Sequence, residues 1–250
     1  MIEIKNLIKS FGANHVLKGV NLNLEKGKTT VIIGSSGCGK SVLLKHIIGL
    51  LKPDKGEVLI DGRDIAKMKG KELYEIRNRF GFLFQSSALF DSMTVAENVG
   101  LGLVENNHLL PEQIKAIVDE KLGLVDLDGT QNLKPSELSG GMRKRVGLAR
   151  ALACNPEFIL YDEPTTGLDP ITSSSIDQLI DSLAKNTKLK VTSIVVTHDI
   201  FSVYSVADRV AMMYDGVIHF EGTPLELENT SDRIVRDFLE RTENPRGKMV

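Results

Sequence analysis

The octapeptide Gly34-Ser35-Ser36-Gly37-Cys38-Gly39-Lys40-Ser41 constrains this chain more than any other stretch. It fits G-x-x-x-x-G-K-[ST] in full. Before it, Thr29-Thr30-Val31-Ile32-Ile33 is the kind of short β-branched run that forms a fully buried parallel strand. After it, Ser41–Gly49 reads as a helix. A strand feeding a glycine-rich loop and a helix start makes an anion site. The glycines let backbone N–H groups wrap a phosphate, and the helix N-terminus adds partial positive charge. Lys40 would reach β- and γ-phosphates, and the Ser41 hydroxyl would ligate Mg²⁺. Gly34, Ser35, Ser36, Gly37, Cys38, Gly39, Lys40 and Ser41 are therefore nucleotide-binding candidates. Cys38 reads as a small residue at a permissive position; a thiol activated by Lys40 and the loop amides is the other reading.

Two further runs look like buried parallel strands, Phe158–Tyr161 and Val191–Thr197. A helical pattern near Ser173–Ala184 follows the first of them, and this alternation argues for an α/β sheet. The first run ends at Asp162-Glu163. Two carboxylates at the end of a buried strand are costly unless paired or near a metal. In an open α/β sheet that edge is where ligands bind. Asp162 is expected to hold Mg²⁺ opposite Ser41, and Glu163 to orient and deprotonate an attacking water. The second run ends at His198-Asp199, which puts His198 on the same kind of edge, for a γ-phosphate contact or the water. His15, His46, His108 and His219 show no metal-ligand spacing.

The rest of the chain frames these segments. Ile2-Glu3-Ile4, Val20–Leu24 and Glu57–Ile60, the last running into an Asp61-Gly62 turn, predict a small N-terminal antiparallel sheet. Pro111 to about Leu122 and Ser139 to about Ala153 have apolar residues at helical spacing, so an inserted helical subdomain is expected at roughly 90–155. The core then covers about 1–89 and 156–240, with a flexible tail at 241–250. In the segment Asp232–Glu240, Ile234, Val235, Phe238 and Leu239 also recur at helical spacing and are expected to dock on their own domain, with docking on a partner as the alternative. With 250 residues the chain buries enough surface to need no disulfides, and its two cysteines are too few for a disulfide framework. A reducing compartment is expected. Met1–Lys5 lacks a leader's apolar run, and no stretch approaches the about 18 apolar residues of a membrane span. A net charge of −2 leaves no overall footprint for nucleic acid, with a local basic patch as the one alternative. Any membrane role would need spans from another chain.

Leu138-Ser139-Gly140-Gly141 precedes the basic amphipathic helix Arg143–Leu152. Ser139 is a plausible N-cap, and the two glycines leave the helix start open to a second anion. One nucleotide can use both anion sites only if two chains meet head to tail.

With that segment the sequence resembles the ATPase subunits of ABC transporters, over about residues 1–240 and with the motifs in the family's order. Ser139, Gly140 and Gly141 match the signature motif. The resemblance implies that Phe11 stacks on adenine and that Gln85 is a Mg²⁺ ligand and sensor of the membrane partner. Gly167-Leu168-Asp169 resembles the loop that crosses the dimer interface, and His198 the switch histidine. Met142 stands where many members carry Gln. The implied fold is α/β, a P-loop NTPase with a RecA-like core, an N-terminal antiparallel β subdomain and an inserted α-helical subdomain. The implied activity is ATP hydrolysis with Mg²⁺ by a head-to-tail homodimer with two composite ATP sites. The implied partners are integral-membrane permease subunits at the cytoplasmic face of the inner membrane.

Phe84–Phe90, Met93-Thr94-Val95, Glu137–Met142 and Asp169–Thr172 are similar to the Mce/Mla-type ATPases, which serve bacterial transport of phospholipid or related hydrophobic molecules. That similarity adds a lipid-carrier protein and a small regulatory subunit as expected partners. It also makes Phe82–Phe90 and Ser92–Leu103 the expected groove for the permease, with a plain helical-subdomain core as the alternative. A soluble iron–sulfur-assembly ATPase and an importer ATPase for another substrate remain as alternatives. An unrelated P-loop kinase is disfavoured, since it needs no second phosphate clamp. A repair-type protein is disfavoured by the short span from Gln85 to Glu163, which leaves no room for a long coiled coil.

Overall fold

The computed structural model describes residues 1–105 and 109–243. In chain order its first segment carries β1 (Ile2–Phe11), β2 (Asn14–Leu24), β3 (Thr29–Ile33), α1 (Lys40–Ile47), β4 (Lys55–Ile60), β5 (Arg63–Asp64) and α2 (Gly70–Arg77). Next come β6 (Phe80–Leu83), α3 (Val95–Glu105), α4 (Pro111–Leu124), α5 (Gly140–Ala153), β7 (Phe158–Asp162) and α6 (Pro170–Lys185). The last segment has β8 (Thr192–Thr197), α7 (Ile200–Val206), β9 (Arg209–Tyr214), β10 (Val217–Gly222), α8 (Pro224–Asn229) and α9 (Arg233–Glu243). Two compact units result: Met1–Arg77 with Thr192–Val250, and Asn78–Val191.

The first unit contains the expected antiparallel sheet, in the order β2-β1-β4-β5. Ile2, Ile4, Leu22, Leu24, Val58 and Ile60 are buried, as period-two alternation requires. Both hairpin strands run longer than the alternation indicates. The reason is a bulge: Asn6 has φ 47°, and the β1–β2 register shifts between Ile4 and Leu7. The Asn6 N–H is taken by Asn21 Oδ1 at 2.9 Å, so the interruption leaves no orphan donor there. The parallel part of this unit has β3 between β8 and β9, with β10 antiparallel to β9. Val31–Ile33 and Ile194–Val196 are 0% exposed, which is why their sequence shows continuous rather than alternating apolar residues. Asp232 caps α9, accepting the N–H groups of Ile234 (2.9 Å) and Val235 (3.1 Å). Val235, Phe238 and Leu239 are buried, and α9 packs on α7 within the same unit, as the docking expectation requires. The helix continues to Glu243, past the expected start of the tail; the rest of that tail, 244–250, and His108 lie outside the described residues.

In the second unit β6 and β7 pair in parallel, Phe80 opposite Phe158 through Leu83 opposite Tyr161. Helix α5 is central, packing against α3, α4, α6 and β6. The approach to β6 is close enough that a Cβ on Gly81 would lie 2.5 Å from Ala151 O. Cys38 and Cys154 are not joined in a disulfide.

Candidate functional site

The phosphate-loop candidates lie where strand and helix patterns place them, between β3 and α1. Two glycines there are dictated by space. Gly34 has φ 152°, and a Cβ on it would sit 2.5 Å from Met213 O. Gly39 has φ 109°, and its Cβ would sit 2.9 Å from Leu17 Cδ2. No L side chain suits either position. Gly39 is also the N-cap of α1, and having no side chain it adds no cap of its own at the helix start. Ser35, Ser36 and Gly37 are exposed, whereas Cys38 is half-buried, with its N–H donating to Ser35 O at 3.2 Å. Lys40 is 6% exposed, and its Nζ donates to Gly34 O (2.8 Å) and Ser35 O (3.3 Å). The ammonium is thereby held over the loop, ready to exchange a carbonyl for a stronger anionic acceptor.

Also in this unit, Phe11 ends β1 at the hairpin tip. It is 47% exposed, with Lys9 Nζ 5.6 Å from its ring centroid. An open aromatic face beside a cation suits stacking on a planar base. His198 follows β8 directly and is exposed. Its neighbour Asp199 has a separate job, accepting the Phe201 N–H at 2.9 Å as the N-cap of α7.

The second unit gathers the other candidates around α5. Asp162 closes β7, and Glu163 follows with φ 51°, a left-handed conformation rare for a residue with a side chain. The Glu163 carboxylate accepts from Thr166 Oγ1 at 3.0 Å. Gln85 follows β6 and is exposed. The signature segment behaves as its sequence predicts. Ser139 Oγ accepts the Met142 N–H at 3.2 Å, capping α5, and Arg143 Nη1 donates to Leu138 O at 2.6 Å. Ser139 is exposed and Gly140 half-buried. Asp169 caps α6, accepting from Ile171 N (3.1 Å), Thr172 N (3.0 Å) and Thr172 Oγ1 (2.5 Å). Those bonds hold its carboxyl below the usual range, the Thr172 hydroxyl first. The Asp169-Pro170 pair is a helix-start signal, and it puts the beginning of α6 three residues ahead of the expected Ser173.

Sequence reasoning singled out neither Lys144 nor Arg150. Lys144, 5% exposed, donates to the main-chain carbonyls of Gln85 and Glu163. Arg150 donates to Ser87 O and Ala88 O, both at 2.7 Å. The only signal was their position on a basic helix that is otherwise mostly buried. Asn98, 0% exposed, is a third. Its Nδ2 donates to Phe90 O, Met93 O and Thr94 O, and its Oδ1 accepts the Phe90 N–H. The expected permease groove divides accordingly: Leu83, Val95, Val99 and Leu103 are core, while Phe84 and Phe90 are 37% and 49% exposed. No helix among the described residues is long and apolar enough to cross a membrane.

Residues 17–166 match the model of the ABC transporter family. The chain is 46% identical to the Haemophilus influenzae intermembrane phospholipid transport system ATP-binding protein MlaF, over 96% of this chain and 90% of that protein. It is also 46% identical to the probable ribonucleotide transport ATP-binding protein mkl of Mycobacterium leprae, over 95% of this chain and 68% of that protein. The chain thus spans about two thirds of the mycobacterial relative. Among solved structures, a dimeric post-hydrolysis ATP-binding cassette bound to ADP and Pi superposes with a TM-score of 0.81 at 38% identity, over 90% of this chain and 99% of that one. Phosphate loop, acidic strand end and capped signature helix occur together in a chain this similar to ATP-binding cassettes, and the chain belongs to the ABC transporter family.

Proposed function

We propose that this chain is the ATP-hydrolysing subunit of an envelope phospholipid transporter, working as a head-to-tail homodimer on permease subunits at the cytoplasmic face of the inner membrane. The observation that carries the cargo reading is 46% identity to a phospholipid-transport ATPase over 90% of that protein's length. The ribonucleotide-transport relative is equally identical, but this chain accounts for only 68% of it. A lipid-carrier protein and a small regulatory subunit complete the proposed assembly. The exposed rings of Phe84 and Phe90, on a loop held by Asn98, are the proposed permease contact.

In each of the two composite sites, Gly34–Ser41 wraps the phosphates and Lys40 neutralises the β- and γ-oxygens. Phe11 stacks on the base. Ser139, Gly140 and Gly141 of the facing copy, with Asp169 nearby, close on the γ-phosphate through the start of α5. Glu163 accepts a proton from water as the water oxygen attacks the γ-phosphorus. The bond from that phosphorus to the bridging oxygen breaks, and ADP and inorganic phosphate leave. His198 orients the γ-phosphate and the water, and Gln85 links the site to the permease contact. Mg²⁺ fits this donor set. Among the described residues no three His, Cys, Asp or Glu side chains form a metal cage. Ser41, Asp162 and Gln85 instead offer single hard oxygens of the sort Mg²⁺ accepts beside phosphate and water. When bound, Mg²⁺ supplies charge neutralisation at the β- and γ-phosphates.

The deciding experiment captures tagged Glu163→Gln from detergent-solubilised native membranes. This variant should bind ATP, lose hydrolysis and trap the closed dimer. Recovery of a multi-span permease with phospholipid supports the reading. A permease without phospholipid sinks the cargo assignment, and a complex of soluble proteins only favours the assembly-ATPase alternative.

A further inference from the structure

Lys144 lies in the first half of α5, immediately after the signature segment, and is only 5% exposed. An ammonium buried to this degree is costly unless its donors are used. Lys144 Nζ uses them on two main-chain carbonyls from different segments. One is Gln85 O, just past β6; the other is Glu163 O, just past β7, at 3.2 Å. Burial lowers the ammonium's pKa, and the Asp162 and Glu163 carboxylates oppose that shift. Both anchored segments have unusual backbone. Glu163 has φ 51°, and Ser87 and Ala88, two and three residues after Gln85, have φ 61° and 45°. Arg150, from the same helix, instead fixes the carbonyls of Ser87 and Ala88. Of the two cations, Lys144 is thus the one that joins the glutamine segment to the peptide carrying the carboxylate.

We infer that Lys144 is a positioning residue for hydrolysis, locking the Glu163 peptide in its left-handed conformation and tying it to Gln85. A displacement of the Gln85 segment is then passed to the carboxylate through one side chain. The inference rests on Glu163 being the base that activates water. Lys144 touches neither nucleotide nor water in this scheme and acts only through those two backbones.

The test compares Lys144→Met and Lys144→Arg with the wild type and with Glu163→Gln. Each is assayed in the assembly recovered from membranes, or as the full chain if none is recovered, well below its own Tm. Methionine keeps the length and removes the donors; arginine restores donors for two carbonyls. The expected result for Lys144→Met is a kcat lowered roughly 10- to 100-fold with KM for ATP within about two-fold of wild type. Lys144→Arg should recover most of the rate. A Lys144→Met protein with wild-type kcat overturns the proposal, however far its Tm falls, because lost packing alone moves Tm and not kcat. If Lys144→Met does not fold, Lys144→Gln takes its place, with a lowered kcat in support and an unchanged one against. If Glu163→Gln turns over normally, the base assignment fails and the inference falls with it. If Glu163→Gln is inactive and Lys144→Met is normal, only the role of Lys144 is lost.

Discussion

Gly141→Ala tests whether packing alone demands a glycine in the signature segment. Gly141 is in the first turn of α5 and is absent from the positive-φ positions, so its backbone accepts alanine. The obstacle is one atom: a Cβ would lie 2.6 Å from Thr172 Cγ2. Thr172 cannot simply rotate away, because its hydroxyl is bonded to Asp169 at 2.5 Å and that carboxylate caps α6. Overpacking of this type costs about 1–3 kcal/mol. Replacing glycine inside a helix returns about 0.5–1 kcal/mol. The net loss is therefore about 0–2.5 kcal/mol, or a Tm lower by up to roughly 10 °C in a chain of this size. Gly141→Ala/Thr172→Ser removes the clashing methyl and keeps the hydroxyl. It should melt higher than Gly141→Ala alone, and the cycle with Thr172→Ser should give a coupling of about 1 kcal/mol. Differential scanning fluorimetry on all four proteins measures this directly. Equal melting of the single and double variants would refute the clash as the cause. ATPase assays on the same set separate packing from ligand approach: restored Tm with depressed turnover shows that nucleotide also needs the bare backbone.

Lys40→Ala should weaken ATP binding about 100-fold or more, since a charge-assisted phosphate contact is removed at a nearly buried position; unchanged affinity by calorimetry would disprove the phosphate-loop assignment. Asn98→Ala removes four hydrogen bonds from a residue that is 0% exposed. A loss of about 2–4 kcal/mol in urea unfolding is expected, and a loss within error of zero would show that the Phe90–Thr94 loop does not depend on it. His46 is 1% exposed, its Nδ1 lies 2.8 Å from Val42 O, and burial lowers its pKa below the usual 6.5. The unfolded chain thus takes up this proton first, so stability is full above about pH 6.5 and falls as the pH drops toward the depressed folded value. His46→Gln should flatten that part of the stability–pH curve, and an unchanged slope would exclude His46 as its source.

How much of this molecule was legible in one dimension depends on the range of the interactions involved. Local chemistry was legible. Ser139 capping α5, the phosphate loop between β3 and α1, and the continuous buried runs of β3, β7 and β8 follow from neighbours in sequence. In each case the turn, cap or buried run is built from adjacent residues. The Asp169 cap was equally local, but the helical pattern puts the start at Ser173 and misses the Asp-Pro signal that begins α6 at Pro170. Non-local terms produced the rest. The Asn6 bulge hid the true length of β1, because its compensating acceptor is Asn21 on the neighbouring strand. Strand β9, with Val210, Ala211, Met212 and Met213 buried, lacks the β-branched signature and exists because β3 and β10 flank it. The sequence shows Lys144 and Arg150 only as charges on a basic helix, and Asn98 only as a polar residue amid apolar ones. The partners of Lys144 and Arg150 are main-chain carbonyls up to 63 residues away, those of Asn98 are main-chain groups four to eight residues away, and main-chain groups carry no residue identity. A motif can announce which side chains meet a phosphate, but the buried donors that hold those segments in place emerge only once the chain has folded and each orphaned carbonyl has found a partner.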